Sequence, residues 1–507
     1  VNPNMIAETL NAFKSAYSSP ISDPRIGEML QKSTFTQAGS ATSGITFYDL
    51  ELGAKFLYPV LTPLRNTLPR VSGKGGIQAN WRAVTAINTG GVRLGVSGGN
   101  RGGVIAVATQ DYTASYKGIG LEDNVDFEAQ YAGMGFDDVR AIAAKTLLEA
   151  TMIGEELLIL GGNGSTALGQ CTQPTLTAGS AGSIVGTVTV SVIVAALTLE
   201  GLINGSVVGG VQGQIVRTNA DGSSDTFGGG VAKLSSNATV SVTSGTGSVA
   251  ATTPALTGAV GYAWLWGPAG SEVLGAITTI NSLVITTANG TGMGGTQTAA
   301  SLGTNDNSVN GLVFDGLLTQ IIKSGSNSYY AAQPTGTAGT GTPLTADSEG
   351  GIVEIDVALK RFWDVYRLSP TVIYVNSQEA LNISKKVLVG GSGTSNLRFN
   401  VDVKDGMIAG GVMIKEYLNR FSMAGGQLIP IKIHPNMPAG TILFYTERLP
   451  YPLSNVANVA QIRTRQDYYQ IEWPLHSRKY EYGVYADEVL QHYYPPSMGV
   501  VTNIGNG

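Results

Sequence analysis

The stretch Asp467-Tyr-Tyr-Gln-Ile-Glu-Trp-Pro-Leu-His-Ser-Arg-Lys-Tyr-Glu-Tyr-Gly-Val-Tyr-Ala-Asp-Glu-Val-Leu-Gln-His-Tyr-Tyr-Pro-Pro-Ser-Met-Gly-Val-Val-Thr-Asn-Ile504 is the most informative in this chain. Aromatic and polar residues alternate along it, and Pro-Pro-Ser-Met-Gly turns it into a short apolar strand. Alternation of this kind reads as extended chain. Charged and aromatic side chains mixed along it suit a surface that meets other protein. Nothing in it is arranged as a catalytic group would be.

Working outward, the chain has 507 residues, which is too long for one ordinary core and predicts two or more domains. Charged residues make up 13%, about half the usual share of roughly 25%. Glycine, at 68 residues, fills much of the gap together with Thr, Ser and Asn. A monomer needs charge to stay soluble, so the composition points to a surface covered by copies of itself or by a partner. An extracellular β protein solvated by Thr and Ser faces also fits it. The net charge of -5 gives no global attraction to nucleic acid. Cys171 is the single cysteine, so no disulfide forms within the chain and a reducing compartment is adequate. No signal peptide is visible. The most apolar run, Ile184 to Leu199, is broken by Thr187, Thr189, Ser191 and Thr198, which suits a strand rather than a membrane helix.

Residues 1–70 read as an N-terminal arm, with a short amphipathic helix over Met5 to Tyr17. Pro59, Pro63 and Pro69 forbid a long helix near its end. Residues 71–171 carry a hairpin over 78–120 and then the clearest helix. The hairpin tip is rich in glycine, with Arg93 and Arg101 as its charges. Gly135-Phe-Asp-Asp138 supplies the helix start, and Val139, Ile142, Thr146, Ala150, Ile153 and Leu157 mark its apolar stripe.

Composition changes after Cys171. From Thr172 to Asn305 the charges are Glu200, Arg217, Asp221, Asp225, Lys233 and Glu272. Short alternating runs between Gly, Asn and Ser turns predict a β-sandwich over 172–305, with a tryptophan of Tyr262-Ala-Trp-Leu-Trp266 in its core. The mixed pattern resumes over 306–507. A helix is expected from Gly351 to Arg367 on the stripe Ile352, Ile355, Leu359, Phe362 and Tyr366, then a strand at Thr371-Val-Ile-Tyr-Val-Asn376. The predicted class is α+β, with the sandwich inserted into the mixed domain.

This order of elements resembles tailed-bacteriophage major capsid proteins of the Hong Kong 97-type fold. Local strings similar to that family are Thr62-Pro-Leu-Arg-Asn-Thr-Leu-Pro-Arg-Val-Ser-Gly-Lys-Gly-Gly76, Leu368-Ser-Pro-Thr-Val-Ile-Tyr-Val-Asn-Ser-Gln-Glu-Ala-Leu381, Met437-Pro-Ala-Gly-Thr-Ile-Leu-Phe-Tyr-Thr-Glu-Arg448 and Tyr482-Gly-Val-Tyr-Ala-Asp-Glu-Val-Leu490. The resemblance implies an N-terminal arm, an extended loop, a spine helix, and peripheral and axial domains, with an inserted immunoglobulin-like domain displayed outside. It implies hexamers and pentamers of an icosahedral head around double-stranded DNA, assembled in the bacterial cytoplasm. Portal, cementing or scaffolding proteins are the further partners it suggests. The hairpin would lie over a neighbouring subunit through Arg93 and Arg101, and residues near 376–430 would gather at the five- or six-fold axis. Some members join subunits through a hairpin lysine, but no lysine lies between Lys74 and Lys117, so a shell without covalent links is expected.

No enzyme, cofactor or metal is expected. His434, His476 and His492 lack metal spacing. Asp137/Asp138 reads as a helix cap, and Glu155/Glu156 and Asp487/Glu488 as solvated or interface charges. Lys360, Arg361 and Arg367 could face packaged DNA, without sequence specificity and in a salt-sensitive way. A bacterial surface-layer or adhesin-like protein with a carbohydrate-binding sandwich, and an encapsulin-like compartment shell, are the alternatives.

Overall fold

The computed structural model describes residues 56–87, 96, 98–99, 104–133, 138–219, 221–389, 413–423, 425–475 and 477–507. Residues 58–131 and 139–507 belong to one compact unit, and the following concerns that unit. The elements used below run in chain order, beginning with α1 (Pro63–Thr67), β1 (Arg70–Ser72), β2 (Gln78–Ile87), β3 (Val107–Ser115), β4 (Lys117–Asp126) and α2 (Val139–Gly161). Next come β5 (Thr175–Leu197), α3 (Leu199–Ile203), β6 (Gln214–Thr218), β7 (Ser224–Gly228), β8 (Ala238–Thr252), β9 (Gly261–Gly267), β10 (Val273–Thr278) and β11 (Ser282–Ile285). The rest are α4 (Leu317–Ile322), β12 (Tyr329–Ala332), α5 (Val353–Tyr366), β13 (Val372–Val375), α6 (Ser377–Val389), β14 (Glu416–Asn419), β15 (Gln427–Ile433), β16 (Ile442–Tyr445), β17 (Ala460–Glu472), β18 (Lys479–His492) and β19 (Gly499–Thr502). The class is mixed α+β, with more of the described residues in strands than in helices.

The C-terminal stretch builds two sheets. β17 and β18 are the inner strands of the order β1-β17-β18-β4, with β1 parallel to β17 and the other pairs antiparallel. β19 instead enters the six-stranded order β12-β19-β16-β13-β15-β14. Three of its four inner strands, Val-Ile-Tyr-Val, Ile-Leu-Phe-Tyr and Gly-Val-Val-Thr, are buried throughout, as strands covered on both faces must be. α5 covers this sheet through Ile355, Leu359 and Phe362, the stripe its sequence predicts. Asn376 begins α6 by accepting a hydrogen bond from Gln378 N at 2.9 Å.

The expected hairpin over 78–120 is present as β2 paired with β3, from Gln78↔Ser115 to Ile87↔Val107. Its tip, with Arg93 and Arg101, lies outside the described residues, as do most of the N-terminal arm, most of the proposed helix start at 135–138 and His476. α2 spans 23 residues, about 34 Å at 1.5 Å per residue.

Its buried face differs from the predicted stripe. Leu147, Thr151, Glu155 and Ile159 point inward, while Thr146 and Ala150 are exposed. Glu155 and Glu156 are fully buried, not solvated, and so is Glu488, while its neighbour Asp487 pairs with Arg465 at 2.8 Å. The apolar stripe misleads because the inward face carries charge that other segments satisfy.

The region 172–305 also differs from the expected sandwich. Its five main strands form one antiparallel sheet in the order β10-β9-β5-β8-β11, with β6 and β7 as a separate pair. A sandwich strand needs one outward polar face, and β9 has none: Tyr262, Ala263, Trp264, Leu265 and Trp266 are all buried. Trp264 and Trp266 join a core on one face, and Ala263 and Leu265 a core on the other. Trp264 Nε1 donates to Thr278 Oγ1 at 2.8 Å and Trp266 Nε1 to Thr287 O at 3.0 Å, so neither ring buries an unmet donor. The Trp266 ring lies so close to Gly275 that a Cβ there would sit 2.2 Å from it.

This sheet shares a core with the rest. Leu199 and Val260 pack with Ile159, Leu160 and Leu317. Leu199 also lies against Gly161, where a Cβ would come within 2.6 Å of it. Asn281 and Asn503 exchange hydrogen bonds of 2.8 and 3.0 Å between the sheet and the C-terminal segment. Residues 172–305 are therefore packed into the core of the subunit as well as inserted in its sequence. Joining Thr172 to Asn305 directly should leave α2 without its Leu199 and Val260 cover, and the product should lack a cooperative urea transition. A soluble remnant with a sharp transition would contradict this.

Candidate assembly interface

The segment from Thr62 to Ser72 begins with a helix too short to stand alone, and α2 supplies what it lacks. Pro63 occupies the first turn of α1, where its missing N–H costs nothing. The next two N–H groups, of Leu64 and Arg65, donate to the Glu156 carboxylate at 2.9 and 2.7 Å. These are orphan donors of a helix start, and a carboxylate is their natural acceptor. His434 Nε2 lies 2.6 Å from the same carboxylate, on Oε1. Leu64, fully buried, anchors the segment in the core of Ile159 and Leu160.

Glu155 organises the second half. Arg65 Nε reaches it at 2.7 Å and Arg70 Nη1 at 2.5 Å, and the Tyr468 hydroxyl donates to it as well. Arg70 Nη2 also lies 2.7 Å from both Asp467 and Glu488. Both guanidinium groups sit over the Tyr468 ring, 5.2 and 5.0 Å from its centroid, an arrangement that favours cations. β1 is thereby held parallel beside β17, with Arg70 opposite Ile462.

Burial, and then the Glu155 charge, push the Glu488 carboxyl up from its ordinary 4.5 to about 8. Its Oε1 is buried with no hydrogen-bond partner, which also favours the neutral form. With Glu488 neutral, Arg65 and Arg70 balance Glu155 and Asp467. On the far end of β18, burial lowers the His492 pKa to about 3, so that ring is neutral. His434 and His492 are thus packed inside the fold. Among the described residues no group of His, Cys, Asp and Glu could hold a metal ion, and no helix is long and apolar enough to cross a membrane.

The β2–β3 ribbon is the opposite environment. Most of its residues are exposed on both faces. At its base Trp81 stacks on Tyr112 at 5.8 Å and meets Tyr493 edge-on at 5.9 Å. Arg82 and Asp111 pair across the strands at 2.6 Å, but both are solvated and add little stability. Val84, Ile87, Val104, Ile105 and Val107 are exposed, with Val104 at 98%. Lys360, Arg361 and Arg367, the cations considered for DNA, are exposed on and just after α5.

Sequence reading missed the network of Arg65, Arg70, Glu155, Glu156 and Glu488. One signal existed: Met152-Ile-Gly-Glu-Glu-Leu-Leu-Ile-Leu160 places two acids in the middle of an apolar helix.

No protein-family model matches the chain, and no curated protein matches it. Among solved structures, the capsid of a native GTA particle is similar at a TM-score of 0.40 and 10% identity, over 91% of this chain and 96% of that one. The capsid of Myoviridae phage XM1 is similar at 0.37 and 10% identity, over 92% and 97%. The holo-SrpI encapsulin of Synechococcus elongatus PCC 7942 gives 0.37 and 8% identity, over 89% and 92%.

Two outcomes follow from the network. The folded chain holds the Glu488 proton more tightly than the unfolded chain, so its contribution is complete below pH 4.5 and is lost as pH rises through about 8. The wild-type urea midpoint should fall between about pH 6 and about pH 8.5, and Glu488→Gln should remove most of that slope. Equal slopes in the two proteins would contradict the assignment. Glu156→Ala strands two backbone donors and His434, and should lower unfolding free energy by about 3–5 kcal/mol in denaturant titration.

Proposed function

We propose that this chain is the repeating subunit of a closed protein shell, a phage capsid protein of the Hong Kong 97-type architecture. The observation that carries this reading is the β2–β3 ribbon. A two-stranded ribbon is marginal in water by itself, and this one exposes a row of Val and Ile along its length. Such a surface needs a protein to lie on. The low charge of the whole chain extends the same requirement to much of the remaining surface.

In this reading the ribbon is the extended loop, α2 the spine helix, the β1-β17-β18-β4 sheet the peripheral domain and the six-stranded sheet the axial domain. Copies assemble as hexamers and pentamers of an icosahedral head around double-stranded DNA, in the cytoplasm of a bacterial host. Arg93 and Arg101 carry intersubunit contacts at the ribbon end, and DNA is met non-specifically by exposed cations such as Lys360 and Arg361. A portal and cementing or scaffolding proteins are the further partners. Residues 172–305 are built into the subunit and add to its outer surface.

Electron microscopy of the purified particle fraction, with its nucleic acid assayed, tests this. Uniform closed shells containing DNA are expected. Shells with an enzyme cargo instead would favour a compartment protein, and monomers without nucleic acid a surface protein. Val104→Asp with Ile105→Asp should cut particle yield at least tenfold and leave monomer stability within about 0.5 kcal/mol, as exposed substitutions do. Unchanged yield would remove the ribbon from the interface.

A further inference from the structure

The sheet β1-β17-β18-β4 turns one face to α2, where Val125, Tyr482 and Val484 pack with Leu147. Side chains alternate along a strand, so the residues between these point the other way. On that outer face Tyr469 lies opposite Tyr485 and Ile471 opposite Gly483, with Gly120 and Glu122 beside them on β4. Trp473 continues the row, its N–H donating to Glu481 O at 3.1 Å. Ile471 is 40% exposed, so the face is open. The two glycines let a ring lie down on it. A Cβ on Gly120 would sit 2.3 Å from Tyr485 Cδ1, and one on Gly483 would sit 2.6 Å from its Cε2. Tyr485 therefore rests over bare backbone and leaves its other face outward. Tyr469 lies beside it, with centroids 5.9 Å and planes 32° apart. Trp473 stands nearly upright to it, at 6.3 Å and 82°.

The charges on this face do not balance. Arg465 has Asp487 at 2.8 Å, Lys479 has Asp126 at 3.4 Å, and Arg217, whose charge acts on Tyr485, has Asp225 at 2.9 Å. Glu122 accepts from the Tyr485 hydroxyl at 2.5 Å. Neither Glu122 nor Glu481 has a cation partner among the described residues. On the α2 side the same sheet twice sets a ring beside a carboxylate, and each time an arginine of the chain completes the group. Arg65 and Arg70 lie over Tyr468 beside Glu155, and Arg140 lies 4.1 Å over Tyr480 and 2.8 Å from Glu472.

We propose that the outer face is a binding site for a compact organic cation, an alkylammonium group seated on Tyr485 between Tyr469 and Trp473, with Glu122 and Glu481 as counter-charges. The face of an aromatic ring is negative, and it attracts a cation within about 6 Å of its centroid. An ammonium carrying carbon substituents suits such a site, because its apolar surface also gains from ring contact. The excess of two carboxylates supplies the charge match. A free polyamine and the lysine side chain of another protein both carry this chemistry. The site stands independently of the shell reading, since all its residues belong to one chain.

Saturation-transfer NMR on the full chain, with tetramethylammonium as the probe at constant ionic strength, tests this. Binding should saturate, and the neutral isostere 3,3-dimethylbutan-1-ol should bind about tenfold more weakly. Trp473→Ala should weaken the cation by about tenfold, and so should Glu122→Gln with Glu481→Gln. Both variants should keep the wild-type urea midpoint, because they change side chains at the surface. Equal binding of cation and alcohol to the wild-type chain would overturn the proposal, and that comparison needs no variant. Cation binding unchanged in both variants would overturn it as well. Spermidine and Nα-acetyl-lysine amide then separate the sources. Tighter binding of spermidine assigns the site to a polyamine, and tighter binding of the lysine derivative assigns it to a protein side chain. Failure of both to displace tetramethylammonium would overturn the alkylammonium assignment.

Discussion

Two adjacent carboxylates, Glu155 and Glu156, lie fully buried in the last third of a helix whose neighbouring side chains are apolar. An unpaired buried carboxylate costs several kcal/mol, so donors must be brought to each one. Glu156 takes two backbone N–H groups of α1, and Glu155 takes the side chains of Arg65, Arg70 and Tyr468. These demands fix the path of Thr62 to Ser72 across α2. They also fix β1, because Arg70 reaches Glu155 and Glu488 together when its strand runs parallel to β17. Helix α2, the segment Thr62 to Ser72 and the C-terminal sheet are thus set in place by one network. It gives position more than stability, as buried ion pairs often compare poorly with apolar packing.

The mixed architecture was legible where burial follows period. α5 shows its core stripe at helical spacing, and β13 lies between Pro370 and Asn376 as its sequence suggests. The β2–β3 ribbon was legible from glycine and alternation. Two things were hidden. The inward face of α2 contains Glu155, and apolar periodicity cannot find a face whose charge is satisfied from residues 85 to 313 positions away. The β region was read as a sandwich because Thr and Ser alternate with Val through much of β5 and β8. That is true of their outer halves, where Thr189 and Ser241 face solvent and lie 3.2 Å apart. Toward Ala195 and Leu197 alternation stops, and β9 is apolar at every position of Tyr262 to Trp266. A strand of that kind belongs between two covered faces, and the loops that cover it cannot be foreseen from its own residues.

The same β region explains part of the unusual composition. Its few charges include Glu272, which is buried and accepts from Ser191 Oγ at 2.6 Å, so even these do not all serve solvation. Hydroxyl groups take over that task on β5 and β8, and they do so without long flexible side chains. Thr and Ser lose little rotamer entropy on ordering, whereas Lys and Glu lose much.

A two-stranded ribbon has little stability of its own, so its direction is set by the structure at its base. β3, one strand of the ribbon, ends at Ser115, and β4 starts at Lys117 with Tyr116 alone between them. The ribbon and the C-terminal sheet are therefore joined by consecutive stretches of backbone. β4 cannot swing, because it is paired with β18 over ten residues, from Lys117↔Glu488 to Asp126↔Lys479. Glu488, the first of those partners, is held through Arg70 to Glu155 of α2. The buried charges thus lie at the base of the ribbon, where stiffness has the greatest leverage on its direction.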